Sequence, residues 1–430
     1  MELKKGYKQT DAGVIPEDWA SYTFGEAFEF LNTANNPWSD LSEYGDYKYI
    51  HYGDVHGNQS AFLDCAREDI PRIHKSEVQH LPLLEDGDLI IADASEDYEG
   101  TGISVEVKNI KGQRVVAGLH TLLLRGDKKL VADGYKGYIQ SIAFIKQELI
   151  KIATGVSVYG ISKSNLKRIA IPLPPLPEQR AIASALSDVD ALIAALDALI
   201  AKKRLVKQGA MQELLTGKRR LPGFSEEWEI KKLGEIGKCL RGVSYKGDSD
   251  LSPSDTEKTT RLLRSNNVQN ASVVFENLQF VNSQRVSDYQ IMCDDDILIC
   301  MANGSKELVG KAAAFHTKDH YKYTFGTFMG CFRLTSKDVS PLFVPHAFQT
   351  HQYRNYISNL IAGSSINNLK PSDIESIQFP FPEISEQIAI AEILADMDAE
   401  IAALETHREK TRLLKQGMMQ ELLTGRTRLV

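Results

Sequence analysis

The sequence predicts two related α/β (α+β) units, each followed by a long helix, with the two helices forming an antiparallel coiled coil. Three observations lead to this fold class: an internal tandem repeat, short apolar runs between Gly/Asp-rich turns, and heptad spacing in two segments that no glycine or proline interrupts before Gly209 and Gly417. The predicted divisions are a first α/β unit at 1–177, a helical segment at 178–221, a second α/β unit at 222–385 and a second helical segment at 386–430.

The composition is that of a globular protein and excludes several other classes. The 430 residues are 43% hydrophobic and 25% charged, with a net charge of -7 at pH 7, which argues against a disordered or fibrous chain. No apolar stretch reaches the roughly 18–20 residues of a membrane span, and the first residues lack the apolar segment of a signal peptide. We therefore expect a cytoplasmic protein. The five cysteines form no CxxC pair, so neither a disulfide framework nor a zinc ribbon is indicated.

The internal repeat is strongest in the two helical segments. Residues 178–221 align with residues 386–429 at an offset of 208, and 28 of the 44 aligned positions are identical. The same offset relates shorter motifs upstream at lower similarity, such as Gly102 and Gly310. A near-constant part and a divergent part in each copy indicate one scaffold that carries two different recognition surfaces.

The helical segments carry the apolar spacing of a coiled coil. Apolar residues recur at alternating intervals of four and three, which is typical of a helix that pairs with another helix. Each helix is expected to run for about 35–40 residues, with Gly217 and Gly425 at the carboxyl ends. The alternative is two independent surface helices, each packed on its own unit. The predicted seam consists of Ile182, Leu186, Val189, Ile193, Leu196 and Ile200 in the first helix and Ile390, Leu394, Met397, Ile401 and Leu404 in the second.

Short apolar runs bounded by turn residues predict the strands of the α/β units. The predicted strands are Tyr47–Tyr52, Asp88–Ala92, Ile103–Val107 and Leu119–Leu124 in the first unit, and Arg261–Leu263, Ile297–Met301 and Cys331–Leu334 in the second. Helices are predicted at Tyr135–Ala153 and Pro345–Ile361.

No motif predicts a catalytic residue in this chain. The sequence Asn-Pro-Trp at 36–38 lacks the second proline of the motif that holds a flipped base in amino-methyltransferases, and it predicts a turn. Segment 304–312 has five residues between its glycines, where a phosphate-binding loop has four, and an alanine in place of the Ser/Thr that binds Mg²⁺.

No metal-binding residues are predicted either. His316 and His320 lack the glutamate of the HExxH zinc motif. The acidic triplet Asp294–Asp296 could bind a cation, but its position before an apolar run predicts a solvated turn. His120 lies beside an apolar run and is interpreted as a packed or hydrogen-bonding residue, in preference to a catalytic one.

Basic, amide and aromatic residues in the predicted loops are candidates for contact with DNA. Arg and Asn side chains suit the bidentate reading of guanine and adenine edges, and Lys suits phosphate. For any one of these residues, plain solvation at the surface is the alternative. The candidates are Lys108, Lys111 and Arg114 in the first unit and Arg241, Tyr245, Lys246, Arg264, Asn266, Asn267, Lys306 and Lys311 in the second.

The doubled arrangement resembles the specificity subunit of type I restriction–modification systems. The resemblance rests on the sequence PLPPLPEQ at 172–179, on the long helix that follows, and on the ending KQGxMQELLTG, which occurs at 207–217 and again at 415–425. The segments that end at Trp19 and Trp228 also resemble the start of the target-recognition domains of this family. The resemblance extends over almost all 430 residues.

This resemblance implies a division of labour within a larger complex. Residues 1–177 and 222–385 would be target-recognition domains that each read one half of a bipartite, asymmetric DNA site, with the coiled coil fixing the gap. Two modification (methyltransferase) subunits would dock on this chain, and restriction subunits would join them. S-adenosylmethionine, ATP and Mg²⁺ would be bound by those partners, with no cofactor on this chain, which would itself be no enzyme.

Two other functions remain open at this point. One is a self-contained DNA methyltransferase with degraded motifs, which would have to bind S-adenosylmethionine. The other is a coiled-coil adaptor that does not bind DNA.

Overall fold

The computed structural model divides into two compact units. Unit 1 is Met1–Ala198 with Glu405–Val430, and unit 2 is Leu199–Leu404. The residues described are 5–58, 60–67, 69–98, 100–362 and 367–429. Each unit contains one α/β region and parts of both long helices. The four divisions drawn from the sequence stay a prediction.

Among the described residues, unit 1 has three two-stranded sheets and two larger ones. One of the larger sheets has the strand order β4-β12-β8-β10-β6 and the other β11-β5-β7. The strands are β1 (Tyr7–Thr10), β2 (Gly13–Pro16), β3 (Ala20–Thr23), β4 (Phe28–Leu31), β5 (Tyr47–Ile50), β6 (Phe62–Asp64), β7 (Arg72–Ile73), β8 (Leu89–Ala92), β9 (Ala94–Ser95), β10 (Ser104–Lys108), β11 (Val115–Ala117), β12 (Thr121–Gly126), β13 (Tyr159–Gly160) and β14 (Ala170–Leu173).

The strand β8 shows why the apolar runs predict buried strands. Successive side chains of a strand point to opposite faces. Leu89 and Ile91 pack in a core with the helices, whereas Ile90 and Ala92 pack in a second core against the smaller sheet. Because both faces are covered, the strand reads as a continuous apolar run with no polar alternation.

Short helices and parts of the two long helices complete unit 1. The helix predicted at Tyr135–Ala153 is split into a 3-10 turn and α4, because Ile142 between them has an extended backbone. The helices are α1 (Phe24–Ala27), α2 (Tyr52–His56), α3 (Lys75–Val78), α4 (Ala143–Ile152), α5 (Lys163–Leu166) and α6 (Leu176–Leu214), of which residues 176–198 belong to unit 1.

Unit 2 repeats this plan with two larger sheets. Their strand orders are β16-β25-β22-β23-β20-β19 and β17-β21-β18-β24. The strands are β15 (Glu229–Lys232), β16 (Gly237–Arg241), β17 (Leu251–Ser252), β18 (Thr259–Leu263), β19 (Val268–Gln269), β20 (Ser272–Val273), β21 (Gln279–Asn282), β22 (Ile297–Cys300), β23 (Ala312–Ala314), β24 (Tyr323–Phe325), β25 (Met329–Leu334) and β26 (Gln378–Phe381).

The helix predicted at Pro345–Ile361 in unit 2 is also split in two. The turn between its parts begins at Phe348, the C-cap residue that follows α9. The helices are α7 (Leu233–Ile236), α8 (Gly247–Asp250), α9 (Val344–Ala347), α10 (His351–Ala362), α11 (Pro371–Glu375) and α12 (Ile384–Leu422). None of the helices within the described residues is long and apolar enough to cross a membrane.

The two long helices have the predicted length. Each of α6 and α12 contains 39 residues. The helix α6 begins at Leu176, slightly earlier than expected, because Pro177 falls in its first turn, where no backbone N–H is needed. Gly217 and Gly425 follow the helix ends with φ of +70° and +69°, a left-handed conformation that glycine adopts without steric cost.

Ion pairs show that the helices run antiparallel within each unit. In unit 1, Asp190 pairs with Lys415 at 2.5 Å and Asp197 with Arg408 at 3.0 Å, so the residue number on α12 falls as the number on α6 rises. The same order holds in unit 2, where the Lys203 ammonium lies 2.6 Å from Glu400 and the Lys207 ammonium 2.5 Å from Asp398. The antiparallel pairing predicted from the heptads is confirmed.

The predicted seam residues lie on the inner side of these helices. Ile182, Leu186, Leu196, Ile200, Ile390, Leu394 and Ile401 are buried, and Val189, Ile193, Met397 and Leu404 are partly buried. The first residues of each seam also belong to the core of the adjacent α/β region. Each long helix therefore contacts the other helix and also packs on an α/β region of its unit.

Candidate nucleic-acid interface

In unit 1, several strands end at one edge and lead into neighbouring loops. The strands β5 and β11 are parallel, so His51 and Gly118, which follow them, leave from the same edge. Asp93 follows β8, and its backbone N–H donates to the carbonyl of His120 at 3.1 Å. We call the surface formed by these loops the strand-end edge of unit 1.

Aromatic and histidine rings gather at this edge. The Tyr52 ring centre lies 4.4 Å from that of His51, 5.9 Å from His56 and 5.6 Å from His120, and Trp38 lies 5.5 Å from His51. We call these five residues the aromatic–histidine patch. Trp38 is 60% exposed and the His120 side chain is about half exposed. The patch therefore opens to solvent. The sequence patterns do not identify it, since they predict a turn at Trp38 and packing or hydrogen bonding for His120.

Hydrogen bonds fix the histidines of the patch. The Nδ1 atom of His51 accepts from the Gly53 N–H at 3.3 Å, and burial lowers the pKa of this imidazole. The His56 ring contacts the Ala94 carbonyl at 2.9 Å, and the His120 ring contacts the Asp93 carboxylate at 3.2 Å. A neutral imidazole offers one donor and one acceptor. The patch thus combines hydrogen-bonding capacity with apolar ring surface.

The buried Tyr49 holds the loops on both sides of the patch. Its hydroxyl donates to the Asn36 carbonyl at 2.8 Å and accepts from the Leu119 N–H at 2.8 Å. A Cβ on Gly118 would lie 2.0 Å from the Tyr49 ring, so only glycine fits there. His120 has φ of +56°, an uncommon conformation for a residue other than glycine. The patch is therefore held in a defined geometry.

The three candidates predicted in the first unit lie at the opposite end of the strands. Lys108 ends β10, which is antiparallel to β8, so it lies near the amino end of β8. Arg114 precedes β11, and its guanidinium lies 5.8 Å from the Tyr47 ring. Lys111 is exposed in the turn between them. The structure does not bring these three residues to the strand-end edge.

Unit 2 has a strand-end edge with the same topology. The strands β18 and β24 are parallel and lead into Arg264 and Gly326, whose N–H donates to the Leu263 carbonyl at 3.0 Å. Phe328, which lies 208 residues after His120, is 67% exposed there. Arg241 ends β16 opposite Gly330, the second residue of β25.

Several candidates predicted in the second unit lie on or beside this edge. Tyr245 packs in a small core with Val243, beside Gly326. The Asn303 amide donates to the Ser265 hydroxyl at 3.3 Å, which brings the loop that contains Lys306 to the loop that contains Asn266. The structure thus gathers Arg241, Tyr245, Arg264, Asn266 and the Lys306 loop in one region. Lys246 is exposed one residue after Tyr245.

Two candidates have other surroundings. Asn267 is fully buried, and its amide donates to the carbonyls of Val274 and Glu276 while its oxygen accepts from the Arg264 N–H. Its assignment as a base-reading residue is wrong, because every polar atom of the side chain is used inside the loop. Lys311 lines a cavity of about 420 Å³ beside α6 and α10.

Burial affects the thiol groups of two cysteines. Burial raises the pKa of the Cys65 and Cys239 thiols to about 12, so neither is a nucleophile at neutral pH. Among the described residues, Asp294, Asp295 and His316 form a group of metal-ligand type, but all three are at least partly exposed, and His316 pairs with Asp294 at 3.1 Å. The third acidic residue of that triplet, Asp296, forms an ion pair with Arg333.

The long helices carry a duplicated pair of exposed apolar side chains. Leu205 and Val206 of α6 lie in unit 2, and Leu413 and Leu414 of α12 lie in unit 1. These pairs are related by the repeat offset of 208, and all four side chains are at least half exposed. Adjacent exposed apolar residues on a helix are typical of an interaction surface.

Comparisons with known proteins agree with this architecture. The family model described as the type I restriction modification DNA specificity domain matches residues 16–202 and 225–414. The specificity subunit of the StySPI type I restriction enzyme from Salmonella potsdam is 33% identical over 204 residues, which are 46% of this chain and 43% of that protein. This match therefore spans less than half of the length of that relative.

Two further proteins are similar over nearly their whole length. The MjaVIII specificity subunit from Methanocaldococcus jannaschii is 24% identical over 444 residues, covering 99% of this chain and 97% of that protein. The crystal structure of a type I restriction–modification S subunit from M. genitalium shares the fold, with a TM-score of 0.55, 14% identity and 98% coverage of both chains. The family model covers most of the sequence in two copies, and the chain belongs to the family of type I restriction–modification DNA specificity proteins.

Proposed function

We propose that this chain is the non-catalytic, DNA-reading subunit of a type I restriction–modification complex. Each α/β unit reads one half of a bipartite DNA site through its strand-end edge. The observation that carries this proposal is that one scaffold is present twice but exposes different chemistry at the same edge, with aromatic and histidine rings in unit 1 and Arg241 and Asn266 in unit 2. Two unlike edges would read two unlike half-sites, so the target is asymmetric.

The long helices set the gap between the half-sites and dock the modification subunits. The exposed pairs Leu205/Val206 and Leu413/Leu414 support this role, since a duplicated surface suits two copies of one partner. The partner class is a DNA adenine methyltransferase, and restriction subunits join the same complex. These partners bind S-adenosylmethionine, ATP and Mg²⁺, and this chain binds none of them.

Methylation mapping tests this function directly. A host without type I systems would express the chain together with a type I methyltransferase subunit, and its genome would be sequenced for N6-methyladenine. We expect one bipartite motif with unlike halves, which disappears when the gene for this chain is omitted. A motif that persists without the chain would contradict the proposal and favour the adaptor that does not bind DNA.

Calorimetry with S-adenosylmethionine separates the remaining alternative. The proposal predicts no heat of binding for the purified chain and saturable binding for the assembled complex. Stoichiometric binding of S-adenosylmethionine by the chain alone would favour a self-contained methyltransferase.

A further inference from the structure

The strand-end edges of the two units differ in charge as well as in residue type. In unit 2, Arg241 at this edge is exposed, whereas Arg264 is half-buried and its guanidinium donates to the Asn277 carbonyl at 3.1 Å. In unit 1 the aromatic–histidine patch has no Arg or Lys among its five members, and the carboxylate of Asp93 contacts His120. Two related domains that use the same edge would therefore use different contacts there.

The geometry of the patch suits the reading of base edges in a groove. Trp38 projects an exposed indole, and apolar ring surface can contact the methyl group of thymine. His120 is half exposed, and because its Nδ1 atom contacts the Asp93 carboxylate, its Nε2 atom is the ring nitrogen left for a base edge, where it can accept from the N6 amino group of adenine.

The backbone around the patch indicates that its conformation is maintained for a purpose. The left-handed His120, the glycine-only position 118 and the two hydrogen bonds of Tyr49 fix both flanking loops. Uncommon backbone conformations persist only where the surrounding structure determines them, and they cluster at ligand sites. Plain solvent exposure of a tryptophan and a histidine requires none of these constraints.

We propose that the aromatic–histidine patch, and not the predicted group Lys108, Lys111 and Arg114, determines which bases unit 1 reads. The inference rests on the proposed function, because it assigns the reading surface of one half-site. Trp38 and His120 contact the bases, and Tyr49 is a positioning residue that holds their loops. The ligand is duplex DNA, recognised by hydrogen bonds and apolar contacts.

The test uses the complete complex and the methylation map described above. We expect Trp38→Ala and His120→Gly to change or relax the motif half read by unit 1, with methylation of the original half-site falling about tenfold or more, while the other half is unchanged. His120→Gly keeps the left-handed backbone accessible, so its effect reports the side chain. Tyr49→Phe should weaken the same half in the same direction.

Matched variants make the result decisive. Tyr44 is an exposed aromatic residue of unit 1 near the amino end of β5, away from the patch, and Tyr44→Ala should leave both halves unchanged. The triple variant of Lys108, Lys111 and Arg114 to Ala should leave the base preference unchanged. The proposal is overturned if the patch variants keep the original motif, if the triple variant alters it, or if the patch variants only reduce methyltransferase binding. A wild-type chain that directs no bipartite motif would instead refute the proposed function itself.

Discussion

Arg428 forms a two-point ion pair with Glu178, which lies 250 residues earlier in the chain. The Glu178 carboxylate is fully buried. The guanidinium donates to the two carboxylate oxygens at 2.6 and 2.7 Å, and the Trp19 indole donates to the same group at 3.0 Å. Unit 2 contains the equivalent set, in which Arg220 and Trp228 donate to the buried Glu386 at 2.8–3.0 Å. In each unit, the segment that follows one long helix is thus fixed to a buried glutamate near the start of the other.

Removing Arg428 should destabilise unit 1 markedly. A buried carboxylate that loses its cation typically costs about 3–5 kcal/mol, and we expect about 3 kcal/mol for Arg428→Ala because the arginine is partly exposed. Urea unfolding of the full chain would measure the loss. Arg426→Ala is the matched control, since Arg426 is exposed and lies 3.9 Å from Glu421, and it should cost less than about 0.5 kcal/mol. Equal midpoints for the two variants would contradict the structural role of the pair.

Reversing a helix-to-helix ion pair tests the antiparallel arrangement. The Lys207 ammonium lies 2.5 Å from the Asp398 carboxylate. Lys207→Glu should lower the free energy of unfolding by about 1 kcal/mol, because two carboxylates would then face each other. Adding Asp398→Lys should restore most of that loss. A double variant as unstable as the sum of both single variants would show that these positions are not neighbours.

Much of the fold could be predicted because it depends on local patterns. The heptads and the duplicated ending predict the two long helices to within a few residues, and runs such as 88–92 predict the central strands because both of their faces are buried. The splitting of the two shorter helices could not be predicted, since the extended backbone at Ile142 breaks an otherwise apolar, helix-compatible stretch. Tertiary packing determined that break.

The aromatic–histidine patch could be predicted from the sequence less well than the fold. His51 and His120 are far apart in the chain, and the parallel pairing of β5 with β11 brings them together, whereas the loop of Trp38 is held by the bond from the Tyr49 hydroxyl to the Asn36 carbonyl. No local spacing encodes that contact. Residue type alone also misassigned Asn267, because an asparagine suited to adenine is equally suited to the internal hydrogen bonds of a tight loop. Alignment of the two repeats is a sequence signal that points to this surface, since it places His120 and Phe328 at equivalent positions.

Glu106 should make unit 1 less stable as the pH rises. Burial raises the pKa of this carboxyl to about 7, although the N–H groups of Gly134 and Gly137 donate to it. The native chain therefore holds the proton more tightly than the unfolded chain, whose Glu titrates near 4.3. Stabilisation of up to about 3 kcal/mol is present below pH 4 and is lost between pH 4 and 7.

Comparison with Glu106→Gln isolates this effect from other titrating groups. The amide cannot ionise. The free energy of unfolding of the wild type should therefore fall relative to that of the variant as the pH rises from 5 to 8. Urea unfolding at a series of pH values would measure it. A difference that does not change with pH would show that Glu106 titrates alike in both states.

The duplicated apolar pairs predict a stepwise loss of partner binding. If each pair docks one methyltransferase subunit, Leu413→Asp with Leu414→Asp should reduce the stoichiometry from two subunits to one, because a buried carboxylate is costly at an apolar contact. Leu205→Asp with Val206→Asp should do the same, and the combined variant should bind none. Native mass spectrometry of the complex would count the subunits. A matched exposed residue outside the helices, Val156→Asp, should retain two.

Lengthening both helices should change the gap in the DNA motif and leave its two halves unchanged. Seven residues preserve the heptad phase and add about 10 Å of helix, which corresponds to about three base pairs of duplex. The insertions would follow Ala198 in α6 and Leu404 in α12, so that both partners of the antiparallel pairing are extended together. Methylation mapping would then report a longer spacer between unaltered half-sites. An equal insertion after Gly223, an open loop position where a side chain would meet nothing within 4 Å, should leave the spacer as it is. If the helix variant methylates the original motif, the helices do not set the gap, whatever their role in docking.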